Sequence, residues 1–205
     1  MLRICVIALA FALGTSAPAR AADPAVDRIQ SFYNALLDTM KKGQQLGMQG
    51  RFRAMEPAVD ATFDLPTMMQ FIVGPTWPSL AERDKTNLVA AFRRMTVANY
   101  AANFSSFGGE KFVVDPTVQQ RGPDRIVQTT LVPVGDKPVP LTYRMRQAGG
   151  GWKVIDVFLE GYVSELATRR SDFASTLASG GAPALVTKMD QLTNSLLGGG
   201  TSKAR

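Results

Sequence analysis

The run from Gly151 to Phe173, GWKVIDVFLEGYVSELATRRSDF, constrains the fold more than any other stretch. Trp152 to Leu159 reads as a strand, and side chains along a strand point alternately to its two faces. Ile155, Val157 and Leu159 fall on one face, with Trp152, Val154 and Phe158 on the other. A strand apolar on both faces must be covered on both sides. Glu160-Gly161 then breaks the chain, and an amphipathic helix begins close by at Val163.

The preceding glycines, Gly149 to Gly151, make this strand the second arm of a hairpin, and two registers are open. A three-residue glycine loop pairs Ala148 with Trp152 and sets Ile155, Val157 and Leu159 against Met145, Tyr143 and Leu141. One face is then wholly apolar and Asp156 lies opposite Arg144. A slip by one residue sets Asp156 against Tyr143 and the aliphatic row against Arg144. Segregation of polar from apolar faces favours the first register. It makes Asp156 a structural carboxylate paired with Arg144, in line with the rule that buried charges are paired; the alternative is a functional acid. Glu160, at the break, is either a helix-capping residue or simply exposed.

The first half of the chain reads helical. Asp23 before Pro24 is a favoured helix start, and Val26, Ile29, Tyr33, Leu36 and Met40 follow at helical spacing. Gly43 and Gly47 mark its end. Phe52, Met55, Val59 and Phe63 define a second helix, with Pro57 in its first turn or kinking it. Asp64 caps a short apolar helix, Leu65 to Val73. Gly74-Pro75-Thr76-Trp77-Pro78 is a turn, and Ser79-Leu80-Ala81-Glu82 has the form of a capping box. The long helix it opens carries Leu88, Phe92, Met95, Asn99, Tyr100 and Phe104 and runs to Ser105 or Ser106, before Gly108-Gly109.

Strands are expected over Lys111–Val114, Arg125–Val134, Val139–Gln147 and Trp152–Leu159, separated by Pro and Gly. Helices over Val163–Leu177 and Ala182–Leu197 close the chain. The fold class is therefore α+β, with helices packed around one twisted antiparallel sheet of about four strands. Before this lies a short leader. Arg3, the apolar stretch Ile4–Leu13 and the small residues around Arg20 form a signal peptide over residues 1–21, whose apolar stretch is too short to span a bilayer. Residues 22–197 then form one domain, and 198–205 a disordered tail.

Beyond the leader the chain has neither cysteine nor histidine. Disulfide staples, thiol nucleophiles, Ser-His-Asp triads and the usual zinc sites are thereby excluded. No glycine-rich phosphate loop follows a strand, and Asp60, Asp64, Asp156 and Glu160 show no spacing that singles out a catalytic pair. Without Arg3 and Arg20 there remain 21 basic residues against 17 acidic, a net charge of +4. The excess is dispersed, with no aromatic-basic pattern for nucleic acid, and suits anionic membrane surfaces or acidic partners better. Met68, Met69, Phe71, Ile72, Trp77, Phe92, Met95 and Tyr100 concentrate adaptable apolar side chains in the helical half, as core or as the wall of a pocket.

Taken in order, several segments resemble the MlaC-type periplasmic phospholipid-binding proteins, also called toluene-tolerance proteins. They are Gly74-Pro75-x-Trp77 before the capped long helix, Tyr100-Ala101 at its end, the strand Gly151–Val157, Glu160-Gly161 leading to Ser164, and Arg170-Ser171-x-Phe173. The run Ser164–Ser171 is similar to the subgroup associated with hopanoid biosynthesis, HpnM. The resemblance implies an apolar cavity between helices and sheet that takes lipid acyl tails, with no enzymatic step and no cofactor or metal. It also implies shuttling of phospholipid, or hopanoid in the subgroup, between an inner-membrane ABC transporter bearing an MCE-domain ring and an outer-membrane lipoprotein complex. Expected tail contacts are Phe71, Ile72, Trp77, Phe92, Met95, Tyr100, Val157, Leu159 and Val163. Arg144, Arg169 and Arg170 are the candidates for head-group or partner contact. A ligand-free adaptor and a carboxylate hydrolase of the envelope are the rival readings.

Overall fold

Asp23 acts as its place before Pro24 predicts. Its carboxylate accepts a hydrogen bond from the Ala25 amide at 2.9 Å, and Pro24 opens helix α1 (Pro24–Lys41), where no N–H is needed. The structure, a computed structural model, describes residues 23–198. The expected signal peptide over 1–21 and residues 199–205 of the expected tail lie outside the described residues. All five stripe residues of α1, from Val26 to Met40, are buried.

Helix α2 (Gly43–Thr62) bends at Gly47, whose φ of 58° is open to glycine at little cost, and continues through Pro57. Phe63 and Asp64 then run briefly beside the sheet, where the Asp64 amide donates to the Val154 carbonyl at 2.9 Å. The Asp64 carboxylate caps α3 (Leu65–Val73) by accepting from the Thr67 amide. The Ser79 capping box does not form. Residues Gly74–Ser79 wind into a 3₁₀ turn in which the Ser79 hydroxyl donates to the Thr76 carbonyl. Leu80 and Ala81 are extended, so α4 (Glu82–Asn103) starts at Glu82 itself, which pairs with Lys85. The motif had the right residues, but the serine is held by the preceding turn.

The sheet is an antiparallel meander of five strands in chain order: β1 (Lys111–Arg121), β2 (Asp124–Val132), β3 (Val139–Ala148), β4 (Gly151–Leu159) and β5 (Val163–Ser164). The added strand is the two-residue β5. Strand β1 extends past the expected Val114 because Asp115-Pro116-Thr117 forms an irregularity and pairing resumes at Val118. Proline is tolerated there because β1 is an edge strand. Helix α5 (Glu165–Leu197) joins the two expected C-terminal helices, bent at Gly181 with φ 63°.

The hairpin between β3 and β4 uses both registers. Gly149 and Gly150 have φ of 59° and 81°, as a tight two-residue turn requires, and they pair Ala148 with Gly151 and Met145 with Val154. A bulge at Ile155 absorbs one residue, after which Arg144 faces Asp156 and Tyr143 faces Val157. The expected Asp156–Arg144 ion pair is nevertheless absent. Arg144 Nε donates instead to Asp124 at 2.7 Å, and Arg146 donates to the same carboxylate at 2.6 and 2.9 Å. Asp156 accepts from the Val157 amide at 2.8 Å, the Ser164 hydroxyl at 2.7 Å and the Leu166 amide at 3.2 Å. It is a cap for α5 reaching across from β4. Asp124 captures the arginine because it starts β2, beside β3, and offers both oxygens to two guanidinium groups.

Both faces of β4 are covered, as its composition requires. Val154 and Val157 join the main core with Tyr143 and Met145, against which α1 packs. Ile155 and Asp156 lie under the first residues of α5, including Leu166 and Ala167. Tyr33 anchors α1 to the sheet, its hydroxyl donating to Tyr143 at 2.9 Å and bonding Thr129 at 2.7 Å. Burial pushes the Tyr33 hydroxyl up to about 12.

The paired arginines hold the Asp124 carboxyl below the usual carboxylate range, chiefly through the Arg146 hydrogen bond. A depressed folded-state pKa gives stability that is present above the unfolded value and lost as pH falls through the folded one. We therefore expect acid unfolding to begin above the folded pKa of Asp124. Asp124→Asn, followed by circular dichroism during acid titration, should flatten this limb while lowering stability at neutral pH. An unchanged acid limb would show that the two arginines do not stabilise the carboxylate.

Candidate functional site: an apolar cavity between α4, α5 and β4

Helix α4 presents Phe92, Met95, Thr96, Asn99, Tyr100 and Asn103 at three- and four-residue spacing, hence on one side. Facing it are Val157 and Leu159, two residues apart on β4 and so on the same strand face. The start of α5 supplies Glu165, Leu166 and Arg169, while Phe63, Met68 and Phe104 complete the wall. Together they border an open-sided cavity of about 530 Å³, within the range of small-molecule sites. The lining is mostly apolar.

An aromatic layer backs the cavity. Tyr100 meets Phe32 of α1 edge-on, with ring centroids 5.0 Å apart, and Phe32 meets Phe63 in the same way at 5.3 Å. Tyr100 also stacks on Phe104 at 6.0 Å. Such contacts hold rings more firmly than area burial alone, so this wall is rigid while Met68 and Met95 supply adaptable surface. Burial raises the pKa of the Tyr100 hydroxyl, and that of Tyr143 behind it, so both stay neutral.

The polar part of the lining is confined to Thr96, Asn99 and Asn103 on α4 and to Glu165 and Arg169 on α5. Glu165 and Arg169 are 3.9 Å apart, and Asp172 approaches the other side of Arg169 at 3.8 Å. Desolvation raises the Glu165 pKa; Arg169 opposes this, while Asp156 and Asp172 add to it.

Of the residues expected at acyl tails, Phe92, Met95, Tyr100, Val157 and Leu159 line this cavity. Ile72 is buried in the core through α3, and Trp77 is half-buried on the 3₁₀ turn. Phe71 is 44% exposed and Val163 40% exposed. Phe71 borders a separate hollow of about 210 Å³ with Arg144, Asp156 and Arg170. Of the three arginines singled out, only Arg169 reaches the larger cavity. A third hollow of about 370 Å³ lies beside Asp60, Arg93 and Lys153. Its charges are engaged, Arg93 by Asp60 and Glu56, and Lys153 by the Asp60 carbonyl.

The cavity residues not nominated as contacts from sequence are the polar Thr96, Asn99 and Asn103 of α4, the apolar Phe63, Met68, Phe104 and Leu166, and Glu165. Thr96 and Asn103 continue the spacing of Phe92 and Asn99, which was the available signal. Glu165 had none, because only the folding back of α5 over β4 brings it there. Among the described residues no group of three or more acidic side chains is placed to hold a metal ion, and no helix is long and apolar enough to cross a membrane.

No curated protein matches this chain. The fold is similar to that of a phospholipid-binding protein from Ralstonia solanacearum solved in complex with a phospholipid. The TM-score is 0.74 at 21% identity, covering 85% of this chain and 99% of that one. The family model described as MlaC protein matches residues 30–191, from α1 to the last turns of α5, and the chain belongs to the MlaC family.

Proposed function

We propose that this protein is a lipid carrier that holds phospholipid acyl chains in the cavity between α4, α5 and β4. The observation carrying the proposal is the cavity itself, about 530 Å³ with a mostly apolar lining. Membership of the MlaC family supports it, as does the likeness of fold to a protein described as phospholipid-binding.

The physical logic is that of transfer between apolar phases. Each methylene left in water costs about 0.8 kcal/mol, so an acyl chain of about fifteen methylenes costs roughly 12 kcal/mol to expose. A carrier removes that barrier by offering a wall of Phe92, Met95, Val157 and Leu159. Binding makes and breaks no covalent bond, so the protein acts without catalysis, and delivery needs only a competing apolar site on a partner. With the leader over residues 1–21, the reading places the protein in the periplasm, between an inner-membrane ABC transporter with its MCE-domain ring and an outer-membrane lipoprotein complex.

Native mass spectrometry of the mature protein, purified without detergent, tests this. We expect a co-purifying mass that organic extraction identifies as phospholipid. A polycyclic triterpenoid in its place would make the protein a hopanoid carrier. A protein that is empty, and stays empty after incubation with phospholipid vesicles, would overturn the carrier reading in favour of an adaptor.

A further inference from the structure

We infer that the cavity, on the carrier reading above, selects phospholipids whose head group carries an ammonium as well as a phosphate. The inference rests on Glu165. Its side chain is 31% exposed, lines the cavity, and makes no hydrogen bond to any described residue. Its one nearby cation, Arg169, lies 3.9 Å away, too far for a hydrogen bond, and is shared with Asp172 at 3.8 Å. Arg169 is thus divided between Glu165, which lines the cavity, and Asp172, which lies outside the lining. A half-buried carboxylate in this position gains from an added cationic donor.

The two side chains also have a suitable arrangement. Glu165 and Arg169 are four residues apart on α5, so their Cβ atoms are about 5–6 Å apart on one helix face. A head group with phosphate and ammonium joined by a two-carbon arm can lay the phosphate on Arg169 and the ammonium on Glu165. Asn99 and Asn103, four apart on the facing side of α4, add amide donors for phosphate or ester oxygens. Desolvation and the neighbouring Asp156 and Asp172 already penalise the charged Glu165, so an ammonium gives the relief that Arg169 supplies only in part. A purely anionic head group would bring a further negative charge to Glu165 without giving it a cationic donor.

The test incubates the full mature protein with vesicles of equal parts palmitoyl-oleoyl phosphatidylethanolamine and phosphatidylglycerol. The protein is repurified, and bound lipid is extracted and weighed by mass spectrometry. The wild type should hold about two- to fivefold more phosphatidylethanolamine than phosphatidylglycerol, the scale of one partly exposed ion pair. Glu165→Gln should bring the ratio to about one, and Glu165→Lys should reverse it. A wild type without this preference, or a Glu165→Gln variant that keeps it, would overturn head-group selection while leaving the carrier intact. Retention of neither lipid would overturn the carrier reading and this inference with it.

Discussion

Replacing Thr96 by tryptophan should cut the lipid held in the cavity by on the order of tenfold while leaving the protein folded. Thr96 sits on the cavity side of α4 between Phe92 and Asn99, half-buried, with its hydroxyl satisfied by the Phe92 carbonyl one turn back at 2.8 Å. Its removal therefore orphans no buried group elsewhere. An indole projecting from this position occupies volume that an acyl chain needs. Forcing a chain past it carries an overpacking cost of about 1–3 kcal/mol, and with the lost contact area bound lipid should fall by on the order of tenfold. Thr96→Val, close in volume, should bind normally. Asn99→Trp, one turn further along, repeats the experiment at a second point. Lipid per protein is measured after vesicle incubation, with thermal melting to confirm the fold. Folded tryptophan variants that retain a full complement of lipid would show that the acyl chains lie elsewhere.

Asp156→Ala should cause the largest stability loss of any single polar substitution in the sheet. The residue is 8% exposed, and its carboxylate accepts three hydrogen bonds, two of them from the start of α5. The Ser164 hydroxyl that donates to it also accepts from the Ala167 amide at 3.1 Å, so helix cap and strand carboxylate form one relay. Removing the carboxylate leaves the Leu166 amide without its partner and frees Ser164, at a cost of about 3 kcal/mol. For a chain of this size that lowers the melting temperature by roughly 6–12 °C. Asp156→Asn keeps an acceptor oxygen and should lose less. Ser164→Ala removes only the cap and should cost about 1 kcal/mol. The relay also holds Val157 and Leu159 against Glu165, Leu166 and Arg169, so the alanine variant should bind lipid more weakly in proportion to its instability. Unaltered melting of Asp156→Ala would remove the capping role; loss of function with full stability would instead revive a chemical role for the carboxylate.

The relay shows where sequence reasoning stopped. Apolar residues on both faces of β4 required cover on both sides, and placing Asp156 opposite Arg144 was a matter of period and loop length. The actual partners were out of reach of that argument. Arg144 is taken by Asp124 at the start of the neighbouring strand β2, and Asp156 by a helix start eight to ten residues further on. Opposition in a ladder brings two residues close, but side chains then choose among every donor and acceptor within reach.

The hairpin makes the same point about backbone. By side-chain pattern the two registers exclude each other, and the chain uses both. The glycine pair sets one at the turn, and the bulge at Ile155 restores the other where the aliphatic row meets the core. A bulge has no strong local signature, since its benefit lies in matching a tight turn to distant packing. Ser79 is the converse case. Its motif was complete, yet a 3₁₀ turn held the hydroxyl three residues before the helix began.

On α4 one apolar stripe serves two purposes. Leu88, Ala91 and Ala98 are sealed in the interior, while Phe92, Met95 and Tyr100 also border open space. Periodicity reports which face of a helix is apolar, not what lies against it. The α+β class, the caps at Asp23 and Asp64, the stripe of α1 and the meander were legible in the sequence, because each rests on residues within one or two turns of each other. The cavity, its polar groups and the partners of its carboxylates were settled by tertiary structure alone. They depend on α5 folding back over β4, and the energy of that contact is spread over residues far apart in the chain, with no local pattern to announce it.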